Sequence, residues 1–126
     1  MRARYLPVFA FVFVCGCSKV HEERSFTIDP LGGHSIEVSA PLSEQTVSVQ
    51  VTADNPVSVW IILGKSVTGR LDDIDPSKLT SGIITSEKDV KEAKLVATIP
   101  AKEKYVVLVN GAKKTDTKVT VKIDSQ

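Results

Sequence analysis

Cysteine is almost absent: the chain has two among 126 residues, Cys15 and Cys17, both near the start. The body of the chain therefore has no thiol for a disulfide framework, a thiolate metal site or a cysteine nucleophile. Aromatic residues make up only 6%, and three of the four phenylalanines lie within residues 9–13. Neither sign of charge dominates, with 16 Lys and Arg against 15 Asp and Glu. A nucleic-acid binder shows a strong basic excess, so no nucleic-acid partner is expected. The sequence contains no Gly-x-Ser-x-Gly elbow, no His-Glu-x-x-His and no Walker loop. The two histidines, His21 and His34, lie apart from each other and from any metal-ligand spacing. No enzyme activity, catalytic residue or cofactor is expected.

Long hydrophobic runs are equally scarce. One stands out, Leu6 to Val14, directly after the basic start Met1-Arg2-Ala3-Arg4-Tyr5. A spanning helix needs about 20 apolar residues. This run is about half that and is interrupted early by Pro7, so it reads as the apolar region of a secretory signal peptide. The run ends in Val14-Cys15-Gly16-Cys17, an aliphatic residue, two small ones and a cysteine. That junction resembles the lipobox of bacterial lipoproteins, with Cys15 an unusual occupant of the second position. The resemblance implies cleavage before Cys17, a diacylglyceryl group on its sulfur and an added acyl chain such as palmitate. Two or more chains at about 0.8 kcal/mol per buried methylene make a stable anchor. Ser18 follows the cysteine where an Asp favours inner-membrane retention in Gram-negative lipoproteins, which implies an outer-membrane address if the host has one. The expected partner at this end is the membrane, through lipid on Cys17.

The resulting division is a signal peptide over 1–16, a lipidated polar tether over 17–24 and one domain over 25–126. A chain of this length holds one core. Beyond the tether, apolar residues recur at every second position, which is the strand period. Ile36 to Ala40 alternates until Pro41, and Val47 to Ala53 alternates with β-branched residues on its apolar face. Asp54-Asn55-Pro56 reads as a turn. Val57 to Leu63 begins by alternating and finishes apolar on both sides, as Tyr105 to Val109 does throughout, so both are expected deep in the fold as inner strands of two sheets. Residues 64–82 read as a long loop. Ser86 to Lys94 pairs Glu87 with Lys91 and Lys88 with Glu92 at helical spacing, which predicts a turn or short helix. Leu95 to Ile99 and Lys118 to Ile123 complete an all-β count of about seven or eight strands, expected as a small antiparallel β-sandwich. The predicted inward set is Val49, Val51, Val59, Ile61, Ala97, Val107, Val119 and Val121.

Residues 47–63 and 95–123, with the strand Val57-Ser58-Val59-Trp60-Ile61-Ile62-Leu63 and the closing hairpin from Tyr105 to Ile123, resemble the bacterial pre-peptidase C-terminal domains. The resemblance implies a non-catalytic accessory module. The chain departs from that pattern in carrying Glu103 where glycine is common, and in lacking aspartates in the central strand.

Four groups of side chains are candidate binding sites. Asp72, Asp73 and Asp75 crowd carboxylates into one loop, as calcium requires, but without glycine-centred spacing, so a solvated turn is preferred and no metal is assigned. Trp60 and Tyr105 offer aromatic faces for a sugar, although their apolar neighbours favour core packing. His34, between Gly33 and Ser35, reads as a turn residue. Lys118 and Lys122 share one face of the last strand, roughly 13 Å apart. They either recognise an acidic envelope polymer or guard a sheet edge, and the second is preferred. The function expected is a membrane-anchored lipoprotein with a non-catalytic β-sandwich that binds an envelope protein or polysaccharide, or supports envelope structure. The alternatives are a carbohydrate-binding module using exposed aromatics, and a small envelope enzyme or inhibitor.

Overall fold

Two long antiparallel strands form the spine of the fold. A computed structural model describes residues 20–30, 32–67, 76, 81–111 and 114–125. The strands are β1 (His21–Ile28), β2 (Gly33–Val38), β3 (Gln45–Leu63), β4 (Ile83–Ile99), β5 (Tyr105–Gly111) and β6 (Thr117–Ser125), with a short 3-10 turn at Gly64–Ser66. On one side β3 pairs with β4 along nearly its whole length. On the other, its first part pairs with β6 (Val47 opposite Ser125 to Ala53 opposite Val119) and its second with β5 (Val57 opposite Gly111 to Leu63 opposite Tyr105). β1 then adds to β6 and β2 adds to β5. One all-antiparallel sheet thus folds over on itself as a nearly closed sandwich. β4, β3, β6 and β1 form one half; β4, β3, β5 and β2 form the other.

The fold turns at the centre of β3. Asp54-Asn55-Pro56 is a bend inside a continuous strand, and the ladder to β4 shifts register between Thr52 and Val57. Pro56 brings no N–H to a ladder, so a break there costs little and lets the strand change direction. The polar residues beside it brace the bend. Asp54 Oδ1 accepts from the Lys118 N–H at 2.9 Å, and Asn55 Nδ2 donates to the Asp116 carbonyl at 3.2 Å. On β4 the matching irregularity is Asp89, at φ 56°, whose N–H donates to Ser58 Oγ at 3.4 Å.

The expected all-β sandwich is present, and the alternation count of seven or eight fits six continuous strands because β3 and β4 each serve both halves. All eight predicted inward residues are buried, joined by Ile28, Ile36, Val38, Val47, Val57, Leu95, Ile99, Val109 and Ile123. Four expectations fail. Asp54-Asn55-Pro56, expected as a turn between two strands, is a bend within β3. Residues 21–24, assigned to the tether, belong to β1. Residues 86–94, expected as turn or short helix, lie within β4, where the charged side chains project from a strand with one unpaired edge among the described residues. The runs 57–63 and 105–109 are neighbours in one half, with Trp60 opposite Leu108, and do not belong to separate sheets. They are covered on both faces as expected: Ile62, Val106 and Leu108, pointing away from the core, are as buried as Ile61 and Val107.

Ile61 is fully buried at the heart of the shared strand. Ile61→Ala should lower stability by about 2–5 kcal/mol in urea or thermal unfolding.

Candidate functional site

Strands β1 and β2 leave a seam. Each is paired on one side only among the described residues, and their other edges turn toward one another. Near the 29–32 turn the seam is bridged by Phe26 and His34, whose ring centroids lie 4.2 Å apart at 31°. His34 is therefore a residue of β2 stacked on an aromatic ring. At the other end the seam opens into a cleft of about 430 Å³ lined by Val20, His21, Glu22, Val38, Ser39, Ala40 and Pro41.

Alternation along β1 points Glu22, Arg24, Phe26 and Ile28 toward the sandwich interior. Glu22 Oε1 and Arg24 Nη2 lie 3.4 Å apart. Tyr105 opens β5 opposite Val38 and is wholly buried. Burial pushes its phenol up to about 12, and the nearby Glu22 carboxylate pushes in the same direction. Its hydroxyl has no hydrogen-bond partner among the described residues. On the outside of β1, His21 Nδ1 is hydrogen-bonded to Asp124.

The outer face of the first half is flat and polar. Its central row reads Lys94, Gln50, Lys122 and Glu23 across β4, β3, β6 and β1. Hydroxyls flank it, with Ser25 and Thr120 at 3.2 Å. A shallow depression of about 460 Å³ lies along Gln50, Thr52, Glu92 and Lys94.

The sequence candidates fare differently. Tyr105 is a core residue, so it offers no aromatic platform. Trp60 points outward between the buried Val59 and Ile61 and is half-buried, not the core residue preferred from sequence. Lys118 and Lys122 project from the middle of a sheet half, because β6 lies between β1 and β3; the preferred edge-guard role is overturned. Acidic residues lie near both: Asp54 accepts from the Lys118 backbone N–H, and Lys122 stands opposite Glu23 in the ladder. Val14, Cys15, Gly16 and Cys17 lie outside the described residues, as do Asp72, Asp73 and Asp75. Among the described residues no group of three or more His, Cys, Asp or Glu side chains converges as for a metal ion. The seam escaped the sequence reading because alternation shows which side chains face inward, not which strand edges stay unpaired.

No family model and no curated protein matches the chain in sequence. Solved structures with the same architecture do exist. PliG of Aeromonas hydrophila, a periplasmic lysozyme inhibitor of g-type lysozyme, superposes with a TM-score of 0.56 at 14% identity, covering 88% of this chain and 89% of its own. The Yersinia pseudotuberculosis-derived mitogen gives 0.54 at 7%, over 83% and 85%. The pre-peptidase C-terminal domain of a Bacillus anthracis collagenase gives 0.53 at 10%, over 82% and 89%. At these identities the likeness is one of fold, and it includes the domain type that the strand pattern resembled.

Two outcomes follow. Tyr105→Phe removes a buried hydroxyl that has no partner among the described residues and should raise stability, by up to about 1–3 kcal/mol. Because the folded phenol holds its proton up to about 12 while an unfolded one releases it near 10, wild type should lose stability as pH rises across that interval. The variant should lack this contribution in alkaline urea melts. Lys118→Thr with Lys122→Thr should leave the sedimentation coefficient unchanged from wild type, since neither lysine borders a free edge.

Proposed function

We propose that this chain is an exported lipoprotein, held to the membrane through lipid on Cys17, whose β-sandwich is a non-catalytic module binding a protein of the cell envelope. The observation that carries the binding role is the seam: two strand edges, unpaired among the described residues, flank a cleft of about 430 Å³. Such edges offer N–H and C=O groups to an extended segment of a partner, with the cleft taking its side chains. The architecture shared with a periplasmic lysozyme inhibitor supports protein recognition outside the cytoplasm as the use of this fold. The anchoring role rests on the Val14-Cys15-Gly16-Cys17 junction behind a basic and apolar leader. Ser18 supports an outer-membrane address where the host has an outer membrane.

A polysaccharide is the second partner class, favoured by the outward-facing, half-buried Trp60. Trp60→Ala would then abolish retention on an insoluble envelope polysaccharide, whereas a protein partner held at the seam would be insensitive to it.

Mass spectrometry of the mature N-terminus tests the anchor. Wild type and Cys15→Ala should both begin at a lipid-modified Cys17, and Cys17→Ala should be neither lipidated nor normally matured. A mature chain that begins elsewhere without lipid overturns the proposal.

A further inference from the structure

The two ends of the sandwich differ. One end carries the 29–32 turn, the bend of β3 and the start of β6, and it is closed by polar hydrogen bonds from Asp54 and Asn55. The opposite end carries Val20, the 39–44 loop, the end of β3, the start of β4 and the 100–104 connection. Val20 is fixed there: its N–H donates to Ser125 Oγ at 2.8 Å and its carbonyl accepts from the Ser125 N–H at 2.9 Å. Only three residue steps separate Val20 from Cys17, a reach of at most about 10 Å. Because residues 21–24 are strand and not tether, little slack remains between the fold and an acylated Cys17.

Exposed large apolar side chains follow the same polarity. Among the described residues they are Leu42 at 65%, Val96 at 53% and Ile83 at 38%. Leu42 sits on the 39–44 loop and Ile83 opens β4, both at the Val20 end, and Val96 lies three residues before Ile99, where β4 ends opposite Gln45 at that same end. The loop bearing Leu42 is held firmly, since the Pro41 carbonyl accepts the Lys102 N–H at 2.8 Å. Lys102 is exposed and has no acidic partner among the described residues, whereas Lys65 and Lys104 are taken up by Glu103 at 3.1 Å and Glu37 at 3.7 Å. A fixed leucine beside an exposed ammonium group that has no acidic partner among the described residues suits a bilayer surface, where the apolar group enters the acyl boundary and the cation stays among lipid phosphates.

We infer that the Val20 end of the sandwich is a lipid-contacting surface, with Leu42 inserted at the acyl boundary and Lys102 against the headgroups, so that the bent end of β3 points away from the membrane. This rests on the lipid attachment at Cys17 proposed above. The domain stands directly on the bilayer in one orientation instead of swinging above it.

The test uses the lipidated protein in vesicles of phosphatidylcholine and phosphatidylglycerol, some of whose chains carry a nitroxide. Cleavage removes Cys15 and acylation caps Cys17, so an introduced thiol is the one site open to a fluorophore. Leu42→Cys and Asn55→Cys, labelled in turn, report on the two ends. The expected result is several-fold stronger quenching at position 42 than at position 55, and the same at Ser43→Cys if the label itself perturbs Leu42. Equal or weak quenching at 42 and 43, in protein whose N-terminal mass shows lipid on Cys17, overturns the orientation and leaves the anchor standing. A mass showing no lipid on Cys17 overturns the anchor, and the orientation with it.

Discussion

The bend in β3 is the constraint on which the rest of the molecule depends. A straight strand from Gln45 to Leu63 would belong to one flat sheet with one face open to water. Turned at Asp54-Asn55-Pro56, it lends its first part to β6 and its second to β5, and the two halves close over a shared core. The core is correspondingly simple, dominated by valine and isoleucine with Tyr105 as its one aromatic residue among the fully buried side chains. With no thiol in the body of the chain, cohesion comes from this apolar contact and from the ladders themselves. The side chains that hold the bend are of the type that ends strands elsewhere. Here they cap the start of β6 and fix the angle between the halves.

Edge management is divided among three strands. β4 borders both halves, and Glu87, Lys88, Asp89, Lys91, Glu92 and Lys94 distribute charge along it. β1 carries the Glu22 and Arg24 pair, with Glu22 at the wall of the cleft. β2 is short, and its mouth is flanked by the cleft. The three devices differ in what they permit. Charge along β4 discourages any partner, whereas the seam between β1 and β2 keeps backbone groups facing a space that a segment of chain can enter.

What the sequence disclosed was whatever depends on facing. Period-two alternation placed Val49, Val51, Val59, Ile61, Val107, Val119 and Val121 inward, and the doubly apolar runs marked strands covered on both sides. What it did not disclose depends on pairing. Asp54-Asn55-Pro56 has the composition of a turn whether the chain reverses or only bends, because proline breaks a ladder in either case. Residues 86–94 carry opposite charges four apart, which satisfies a helix and equally an exposed strand whose edge faces water. Lysines at 118 and 122 looked like guards because edges are where such residues are expected. The charged edge exists, but on β4, and nothing local to β6 reveals that it lies between the first strand and the third. The apolar neighbours of Trp60 suggest a core residue, although its place between Val59 and Ile61 puts it on the opposite face.

The position of β6 also governs the order in which the molecule can assemble. The last strand of the chain is inserted between β1, the first, and β3, so the N-terminal strand has no ladder until residues 117–125 exist. A ribosome or a translocation channel that delivers the chain from its N-terminus releases β1 and the first part of β3 long before their shared neighbour. Meanwhile β3, β4, β5 and β2 can pair into the second half of the sandwich, and the first half closes only when residues 117–125 are delivered. Loop-closure entropy over nearly the whole chain is met in that final step. Closure of the first half is thereby deferred until β6 is available to separate β1 from β3.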